Sequence, residues 1–274
     1  MNIDQIIELS LLEDIGHGDM TTDNLDMGND KSRAFMIAKE DGVLAGLDIA
    51  IKVFQKLDSN VSYVIYKKDG DTLKKGEEIV KINGLSSAIL KGERVALNFL
   101  QKLSGIATVT RTMVDIISPY NVKLLDTRKT TPLLRELEKY AVRIGGGYNH
   151  RFGLFDMVMI KDNHIEAVGG ITEAVEQIKR NNVNYKIEVE VKDLDELKEA
   201  VECRIDRVLL DNMRPEMIQE AVYMYGNIVE LEVSGGVNLE NIEEYAKTGV
   251  HFISTGAITH SHKALDISLL IKEI

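Results

Sequence analysis

The hydrophobic positions of the first part of the chain change from helical spacing to short, strand-like runs. Spacings of three and four residues predict an amphipathic helix over residues 3–14, whose apolar side carries Ile3, Ile6, Ile7, Leu11 and Leu12. From residue 33 to about residue 90, short apolar runs are separated by Asp-Gly and Asn-Gly turns, and a second helix interrupts them at residues 47–57. This part of the chain is therefore predicted to be a small α+β unit.

A long helical pattern over residues 92–117 leads into a regular alternation of strands and helices. Apolar, β-branched runs end near residues 126, 161, 191, 211, 233 and 255. Helical segments fill most of the gaps, at residues 132–143, 171–181, 193–202, 214–224 and 238–247. This alternation predicts a parallel sheet. Six or seven units with no sign of a reversed strand order favour a closed or nearly closed (β/α) barrel, and an open doubly wound sheet is the alternative.

Composition and charge narrow the class of protein. The chain has 274 residues, 44% hydrophobic and 28% charged, so it is long enough for one large barrel or for two domains. A formal net charge of −11 argues against a general surface for nucleic acid or anionic membranes. Cys203 is the single cysteine, which excludes an intrachain disulfide framework, and the N-terminus lacks a basic leader. With no apolar run of about 20 residues, a cytoplasmic protein is expected.

Cations are concentrated in one stretch of this acidic chain. Residues 126–153 hold six Lys and Arg residues and His150, against three acidic residues. Such a cluster on an acidic protein predicts a pocket for a small anion. Within the stretch, a four-residue spacing indicates a solvated or structural helix face formed by Arg135, Lys139 and Arg143. The cations that bind a ligand are then expected at the two ends of the stretch, outside that helix.

Polar side chains stand where the predicted parallel strands end. They are Asp126, Thr127, Arg128, Lys129, Lys161, Asp162, Asn163, His164, Asp211, Asn212, Ser234, Gly235, Gly236, Ser254, Thr255 and Gly256. In another strand, Glu188 and Glu190 share one face, and a carboxylate inside an apolar strand is costly unless it is paired or bound to a metal. The C-terminal ends of parallel strands meet at one end of a barrel, where barrel active sites lie. These groups therefore predict a single site.

The residue types at these strand ends predict their binding roles. The two glycine-containing loops at residues 234–236 and 254–256 favour a phosphate site over two ordinary turns. Arg94, Arg128 and Arg151 have planar guanidinium groups that can donate two hydrogen bonds to a carboxylate or phosphate. Lys129 and Lys161 supply compact positive charges. His150 is either an anion donor beside Arg151 or a structural histidine. The carboxylates of Glu190 and Asp211 are expected to bind Mg²⁺, to accept hydrogen bonds from sugar hydroxyls or to stabilise a developing positive charge.

The chain resembles the quinolinate phosphoribosyltransferase family, also called nicotinate-nucleotide pyrophosphorylase (carboxylating). The resemblance covers nearly the whole chain in order and is carried by "EDIGHGDMTTDN", "GERVALNFLQKLSGIAT", "DTRKTTPLLRELEKYAVRIGGGYNHRFGL", "MIKDNHI", "VEVKDLDE", "LLDNM" and "LEVSGGV…FISTGAITHS". It implies an N-terminal α/β sandwich at residues 1–105 and an incomplete α/β barrel at residues 106–274, whose C-terminal helix could return to the first domain. It also implies a homodimer in which Arg94 reaches the partner's site.

The reaction implied by the resemblance joins quinolinate to 5-phosphoribosyl 1-diphosphate and releases diphosphate and CO₂, giving nicotinate mononucleotide for NAD biosynthesis. Its catalytic residues would be Lys129, Lys161, Glu190 and Asp211, with Mg²⁺ at the last two, directly or indirectly. Substrate-binding residues would be Arg94, Thr127, Arg128, Lys129, His150, Arg151, Lys161, Glu190, Asp211, Ser234, Gly235, Gly236, Ser254, Thr255 and Gly256. The chain departs from the family pattern at Leu133, where the family usually has glycine, and at Ile144 and Thr255.

Three other functions are open from the sequence. One is a paralogous phosphoribosyltransferase of the family associated with molybdate-transport operons. A second is a Schiff-base aldolase in which Lys161 is the nucleophile. A third is a non-catalytic nucleotide-binding regulator, which the retention of every charged site position disfavours.

Overall fold

The structure, a computed structural model, describes residues 2–181 and 184–272. Its α-helices are α1 (Ile3–Ile15), α2 (Leu47–Leu57), α3 (Ser86–Ile117), α4 (Arg135–Ile144), α5 (Asp162–Val168), α6 (Ile171–Arg180), α7 (Leu194–Glu202), α8 (Pro215–Tyr225), α9 (Ile242–Ala246) and α10 (Ala257–His260). Its strands are β1 (Lys31–Ala38), β2 (Gly42–Val43), β3 (Ser62–Ile65), β4 (Thr72–Leu73), β5 (Glu78–Leu85), β6 (Lys123–Leu125), β7 (Val158–Ile160), β8 (Ile187–Val191), β9 (Arg207–Asp211), β10 (Glu230–Ser234), β11 (Phe252–Ser254) and β12 (Ile267–Lys272). Within the described ranges, no helix combines the length and the apolar character needed to cross a membrane.

The chain divides into two compact units. The first comprises residues 2–111, 131–145 and 262–272, and the second comprises residues 112–130 and 146–261. The segment 131–145, which carries α4, thus belongs to the first unit although it lies between two strands of the second unit in sequence.

The first unit is built around an antiparallel sheet with the strand order β12-β1-β5-β3. The predicted first helix is present as α1, where Asn2 and Gln5 form a reciprocal capping box and Ile6, Ile7 and Leu11 are buried. Leu12 was predicted on the same apolar side but is 64% exposed. At 100° per residue, Ile6, Ile7 and Leu11 span an arc of about 140° that faces the core, and Leu12 lies on the opposite side of the helix.

The C-terminal segment is a strand rather than the helix that was expected. β12 pairs antiparallel with β1, with Phe35 opposite Leu270 and Ile37 opposite Ser268. Because β1 pairs with β5 on its other side, β12 satisfies backbone groups that would otherwise form an open sheet edge. The buried side chains Ile267 and Leu269 alternate along it, which is the period of a strand.

The cationic helix α4 does not present a uniform solvated face. Arg143 is exposed, whereas Lys139 is buried beside the equally buried Glu138. Glu138 Oε1 forms an ion pair with Lys102 Nζ, at a distance of 3.1 Å. Lys139 is therefore a structural residue of the first unit, and the four-residue spacing alone did not separate it from the half-buried Arg135 and the exposed Arg143.

The second unit is a six-stranded parallel sheet that wraps in one direction. Its order is β6-β11-β10-β9-β8-β7, so each strand from β7 to β11 lies beside the next strand in the chain and β6 lies beside β11. The order contains no reversal, which separates it from a doubly wound sheet. Within residues 2–181 and 184–272, β6 and β7 do not pair with each other, and beyond β6 only a bridge from Leu125 to Tyr148 extends the ladder. The predicted incomplete barrel is confirmed.

Candidate active site

A cavity of about 590 Å³ lies at the C-terminal ends of the parallel strands. Of the residues predicted from the sequence, it is lined by Thr127, Arg128, Lys129, His150, Arg151, Lys161, Glu190, Asp211, Ser234, Gly235, Gly236, Ser254, Thr255 and Gly256. Asn212, also noted at a strand end, lines it too, and the further lining residues are Met159, Leu209, Glu232, Val237, Ala257 and His260. The structure therefore gathers side chains that are more than a hundred residues apart in the sequence, because most of them lie at or just after the C-terminal ends of strands of the same sheet. His150 and Arg151 come instead from the segment after Tyr148, which forms a bridge with β6.

Arg94 is the one member of the predicted substrate-binding set that does not line this cavity. Of the other polar residues noted at strand ends or within strands, Asp126, Asp162, Asn163, His164 and Glu188 do not line it either. Arg94 lies on α3 in the first unit, and its side chain is exposed to solvent. Its predicted role depends on a second subunit and stays a prediction.

Two arginines form a cationic part of the cavity wall. Burial, together with the charge of neighbouring Arg128, lowers the pKa of Arg151. Two like charges held close together destabilise each other unless an anion lies between them. Their placement around one cavity is thus what a site for a multiply negative ligand requires.

The loop after β6 presents Lys129 to the cavity through local hydrogen bonds. Lys129 N donates to Thr127 Oγ1 at 3.0 Å, and Thr259 Oγ1 donates to Lys129 O at 2.7 Å. Gly256 lies against this loop, where an added Cβ would come 2.8 Å from both Lys129 Cδ and His260 Cδ2. The glycine therefore leaves room for the lysine side chain beside the loop that follows β11.

Lys161 and Glu190 connect two neighbouring strand ends. Lys161 follows β7 directly, and its ammonium group donates a hydrogen bond to the carboxylate of Glu190 on β8. The backbone of Lys161 also donates to His164 Nδ1 at 3.0 Å, which holds the start of α5. The pair places opposite charges side by side at the cavity mouth, where a ligand that carries both phosphate and hydroxyl groups can contact each of them.

A tight turn holds Asp211 at the end of β9. Asn212 has a φ of 51° and donates from its side chain to Asp211 Oδ2 at 2.7 Å. Gly235 lies against Asn212 with a φ of +97°, and a Cβ there would overlap the Asn212 amide. Glycine at this position is therefore required both by the backbone conformation and by the close approach of the two loops.

The loops after β10 and β11 are tied to each other by Thr255. Its Oγ1 donates to the carbonyl of Val237 at 2.7 Å and accepts from Ala257 N at 3.1 Å. Thr255 N donates to Leu125 O at 3.1 Å, which links the same loop to β6. This departure from the family pattern thus adds a side-chain hydrogen bond between the two loops that were predicted to bind phosphate.

A buried cluster of charged groups lies inside the sheet next to the cavity. His150 Nε2 is 3.1 Å from Glu188 Oε2 and 3.4 Å from Glu232 Oε1. Both glutamates are fully buried. Arg207 Nη1 donates to Glu232 Oε2 at 2.9 Å, and its guanidinium lies 3.9 Å from the centre of the Phe252 ring. Two buried carboxylates are thus opposed by one arginine and one histidine, which is the pairing that buried charges need.

The close charges of the cluster shift the pKa values of its members. Burial by itself lowers the pKa of His150, but the neighbouring carboxylates of Glu188 and Glu232 outweigh it and raise that pKa. Burial, together with the charge of Glu232, raises the pKa of Glu188. Burial also raises the pKa of Glu232, but His150, Ser254 and Arg207 outweigh it and lower that pKa below its usual value. Because His150 Nδ1 accepts the N–H of Arg151, the ring carries its hydrogen on Nε2, on the side of the two glutamates.

Glu232 and Arg207 were not among the residues predicted from the sequence. Glu188 and Glu190 were found because acidic residues occupy every second position of an apolar strand. β10 has the same pattern, in which Glu230, Glu232 and Ser234 alternate with buried apolar residues. Period-two acidic residues in a buried parallel strand therefore point to the interior cluster. Their partner His150 follows no strand of its own, so spacing gives no sign of its contact with them.

An open parallel barrel with a cationic cavity and carboxylates at its strand ends defines an α/β-barrel enzyme whose site suits small anions. Two family descriptions match the chain, the quinolinate phosphoribosyl transferase N-terminal domain at residues 19–104 and the C-terminal domain at residues 106–270. The chain belongs to the quinolinate phosphoribosyltransferase family.

Similar proteins that align with nearly the whole chain support this assignment. The chain is 45% identical over 272 residues to the probable nicotinate-nucleotide pyrophosphorylase [carboxylating] of Bacillus subtilis, covering 98% of this chain and 93% of the relative. It is 46% identical over 289 residues to the chloroplastic nicotinate-nucleotide pyrophosphorylase [carboxylating] of Arabidopsis thaliana, covering 97% and 82%. The solved nicotinate-nucleotide pyrophosphorylase of Francisella tularensis superposes with a TM-score of 0.95 at 45% identity, covering 98% and 96%. The resemblance read from the motifs is confirmed, and the aldolase and paralogue alternatives are not favoured.

Proposed function

We propose that the protein transfers the phosphoribosyl group of 5-phosphoribosyl 1-diphosphate to quinolinate and removes one carboxylate as CO₂, giving nicotinate mononucleotide and diphosphate. The observation that carries the proposal is the single cavity in which the cations after β6 and β7 face the carboxylates of β8 and β9. The names of the relatives, which are pyrophosphorylases and decarboxylating phosphoribosyltransferases, support it.

The charge of the cavity wall matches the charge of these substrates. Quinolinate is a dianion, and the co-substrate carries a phosphate and a diphosphate. Arg128 and Arg151 would receive the two carboxylates and direct the ring nitrogen toward the anomeric carbon of the ribose. Both ring nitrogens of His150 are already engaged by protein groups, so it would act beside Arg151 rather than on a carboxylate. The mutual repulsion of the two arginines would be relieved when the dianion binds.

The phosphate groups would bind at two other parts of the cavity. The loops at 234–236 and 254–256 line the cavity without bulky side chains, and their N–H groups, apart from that of Thr255, which donates to Leu125 O, would hold the 5-phosphate. Lys129 and Lys161 would face the leaving diphosphate as point charges. This division leaves the ribose between the phosphate loops and the cationic wall.

Glu190 and Asp211 would contact the ribose. Their carboxylates line the cavity at neighbouring strand ends, so they are placed to accept hydrogen bonds from the ribose hydroxyls and to stabilise positive charge that develops on the sugar. Carboxylate oxygens are also the ligands that Mg²⁺ prefers, so the same two residues fit a magnesium ion shared with substrate oxygens. Bound there, Mg²⁺ would neutralise part of the charge of the diphosphate.

The chemistry fixes the order of the two steps. The ring nitrogen forms a bond to the anomeric carbon while the bond from that carbon to diphosphate breaks. The nitrogen then carries a positive charge, which stabilises the electron pair left on the adjacent ring carbon when its carboxylate departs as CO₂. A proton then replaces the carboxylate on that carbon. Substitution therefore precedes decarboxylation, and the residues of the cavity act mainly on the first step.

We further propose a cytoplasmic homodimer with shared active sites. Arg94 is exposed on α3 and does not line the cavity of the second unit, so it is available to complete the cavity of a partner subunit. In that arrangement a third guanidinium would join Arg128 and Arg151 against the dianion.

The direct test is product formation by the purified protein. The protein is incubated with quinolinate, 5-phosphoribosyl 1-diphosphate and Mg²⁺, and the mononucleotide is measured by mass spectrometry. Formation of nicotinate mononucleotide with release of CO₂ supports the proposal. A product from another pyridine acid but none from quinolinate would instead identify the paralogue associated with molybdate-transport operons.

A further inference from the structure

We propose that Glu188 and Glu232 are positioning residues that act through His150 to hold the Asn149–Arg151 backbone across the open side of the barrel. This inference rests on the proposed function, because it concerns how Arg151 is placed for the dianionic substrate. The two glutamates would then contribute to the reaction without themselves receiving the quinolinate carboxylates.

The first contact in this chain of interactions is between the imidazole and the two carboxylates. Nε2 of His150 lies 3.1 Å from Glu188 and 3.4 Å from Glu232, which come from β8 and β10. The side chain of His150 is only 7% exposed, and both glutamates are fully buried. Charged groups in such a place have few alternative partners, so the contact restricts the ring strongly.

The second contact passes from the imidazole to the backbone of Arg151. The N–H of Arg151 donates to His150 Nδ1 at 2.7 Å. Asp126, buried at the end of β6, holds the same segment from another side, because Oδ1 accepts from His150 N at 2.8 Å and Oδ2 accepts from the Asn149 amide at 2.5 Å. Side chains from three separate strands therefore determine where this short segment lies.

The segment needs these side chains because the sheet does not hold it. β6 and β7 are not paired, and the bridge between Leu125 and Tyr148 is the last backbone connection on the β6 side. After Tyr148 the chain has to reach β7 at Val158 without a strand ladder. Arg151, which lines the cavity, lies within this crossing, so its position depends on the interior cluster.

Arg207 keeps the cluster intact. It bonds Glu232 at 2.9 Å and Glu230 at 3.1 Å, while Glu188 is its register partner on β8. His150, Glu188 and Glu232 also have the geometry to share a metal ion. His150 lies beside Glu188 and Arg207 beside Glu232, so each buried carboxylate has a nitrogen group as its neighbour.

The test compares three isosteric variants. Glu188→Gln and Glu232→Gln weaken the hold on His150, and Glu230→Gln is the matched control, because it lies on the same strand and loses a bond to the same Arg207. We expect KM for quinolinate to rise about tenfold in the first two, with KM for 5-phosphoribosyl 1-diphosphate within about twofold, and no change in the control. Equal effects on both substrates, or equal effects in all three variants, would overturn the proposal.

A double-mutant cycle shows whether the glutamates act through His150. In a His150→Gln background, Glu188→Gln should have little further effect on KM for quinolinate, since the connecting ring is already lost. Additive effects of the two substitutions would mean that Glu188 acts by another route. If Glu232→Gln does not fold, Glu188→Gln, which leaves the pair of Arg207 with Glu232 in place, carries the test alone.

Hydrogen exchange separates a failure of this proposal from a failure of the proposed function. Exchange of the backbone amides in the peptide 148–152 is measured by mass spectrometry on ligand-free protein. We expect about tenfold faster exchange at this peptide in Glu188→Gln and wild-type exchange in Glu230→Gln. Unchanged exchange in Glu188→Gln would refute the positioning role even in an active enzyme. If the wild type gave no product from quinolinate, this comparison would still decide the role of the glutamates.

Discussion

The ammonium group of Lys161, at the end of β7, donates a hydrogen bond to the carboxylate of Glu190 on the neighbouring strand β8. The Lys161 side chain is 40% exposed and the Glu190 side chain 15%, so the pair faces the cavity rather than the core. In the proposed reaction the lysine turns to the leaving diphosphate and the glutamate to the ribose. The ion pair therefore holds the two side chains in place until Lys161 contacts the diphosphate and Glu190 contacts the ribose.

Lys161→Ala should lower kcat by about a hundredfold or more, because the departing diphosphate loses a charge that is worth most as the bond breaks. The KM for quinolinate should change by less than about threefold, since the carboxylates are assigned to the arginines. Steady-state kinetics with each substrate varied measures both constants. A near-normal kcat would remove Lys161 from the reaction.

Arg128→Ala should abolish turnover while the fold is retained. The half-buried guanidinium of Arg128 is assigned to a substrate carboxylate, and water cannot replace its charged hydrogen bonds. The matched control is Arg143→Ala, which removes an arginine of the same cationic stretch that is exposed on α4. Circular dichroism confirms folding, and kcat/KM is compared for the two variants. Near-normal kcat/KM in Arg128→Ala, or equal losses in both, would reject the assigned role.

Subunit mixing tests the shared active site. Arg94→Ala and Lys161→Ala proteins should each be inactive, because every site then lacks one of the two groups. After the two are mixed and allowed to exchange subunits, half of the dimers are hybrids and each hybrid has one intact site, so about a quarter of wild-type activity should return. If Arg94 served its own subunit, the hybrids would hold no complete site and no activity would appear.

Leu133→Gly should stabilise the protein. Leu133 has a φ of 69° and is 72% exposed, and it follows Pro132 in a turn closed by Leu134 N and Thr131 O at 3.1 Å. A proline followed by a left-handed residue is the pattern of a type II turn, which favours glycine at the second position. Relief of strain exceeds the entropy cost of glycine, so the free energy of unfolding should rise by about 0.5–1 kcal/mol.

The control for this prediction is Leu133→Ala, which removes the exposed side chain but keeps a Cβ in the left-handed conformation. Urea unfolding should show no gain in this variant. Equal stabilities of the glycine and alanine variants would mean that the backbone at position 133 is not strained.

The strand ends of the site were predictable because the barrel rule acts on local sequence. A β-branched run followed by a polar or glycine residue marks the C-terminal end of a strand, and every such end in a parallel barrel opens on the same face. This rule alone was enough to predict that Lys161, Glu190 and Asp211 line the cavity. The extent of α3 and the exposure of Leu12 were less accurate, since an apolar pattern does not say where a helix begins or how much of it the core covers.

The sequence by itself determined the family, the alternation of strands and helices, and most of the polar residues that line the cavity, because these depend on short motifs and on spacing along the chain. Only the tertiary structure decided that the C-terminal segment is β12, that Lys139 is buried and that His150 lies between Glu188 and Glu232. Each of these depends on a partner that is distant in sequence: the free edge of β1, the core of the first unit and the carboxylates of β8 and β10. Long-range pairing of this kind leaves no period in the chain, so it becomes visible only when the strands lie side by side.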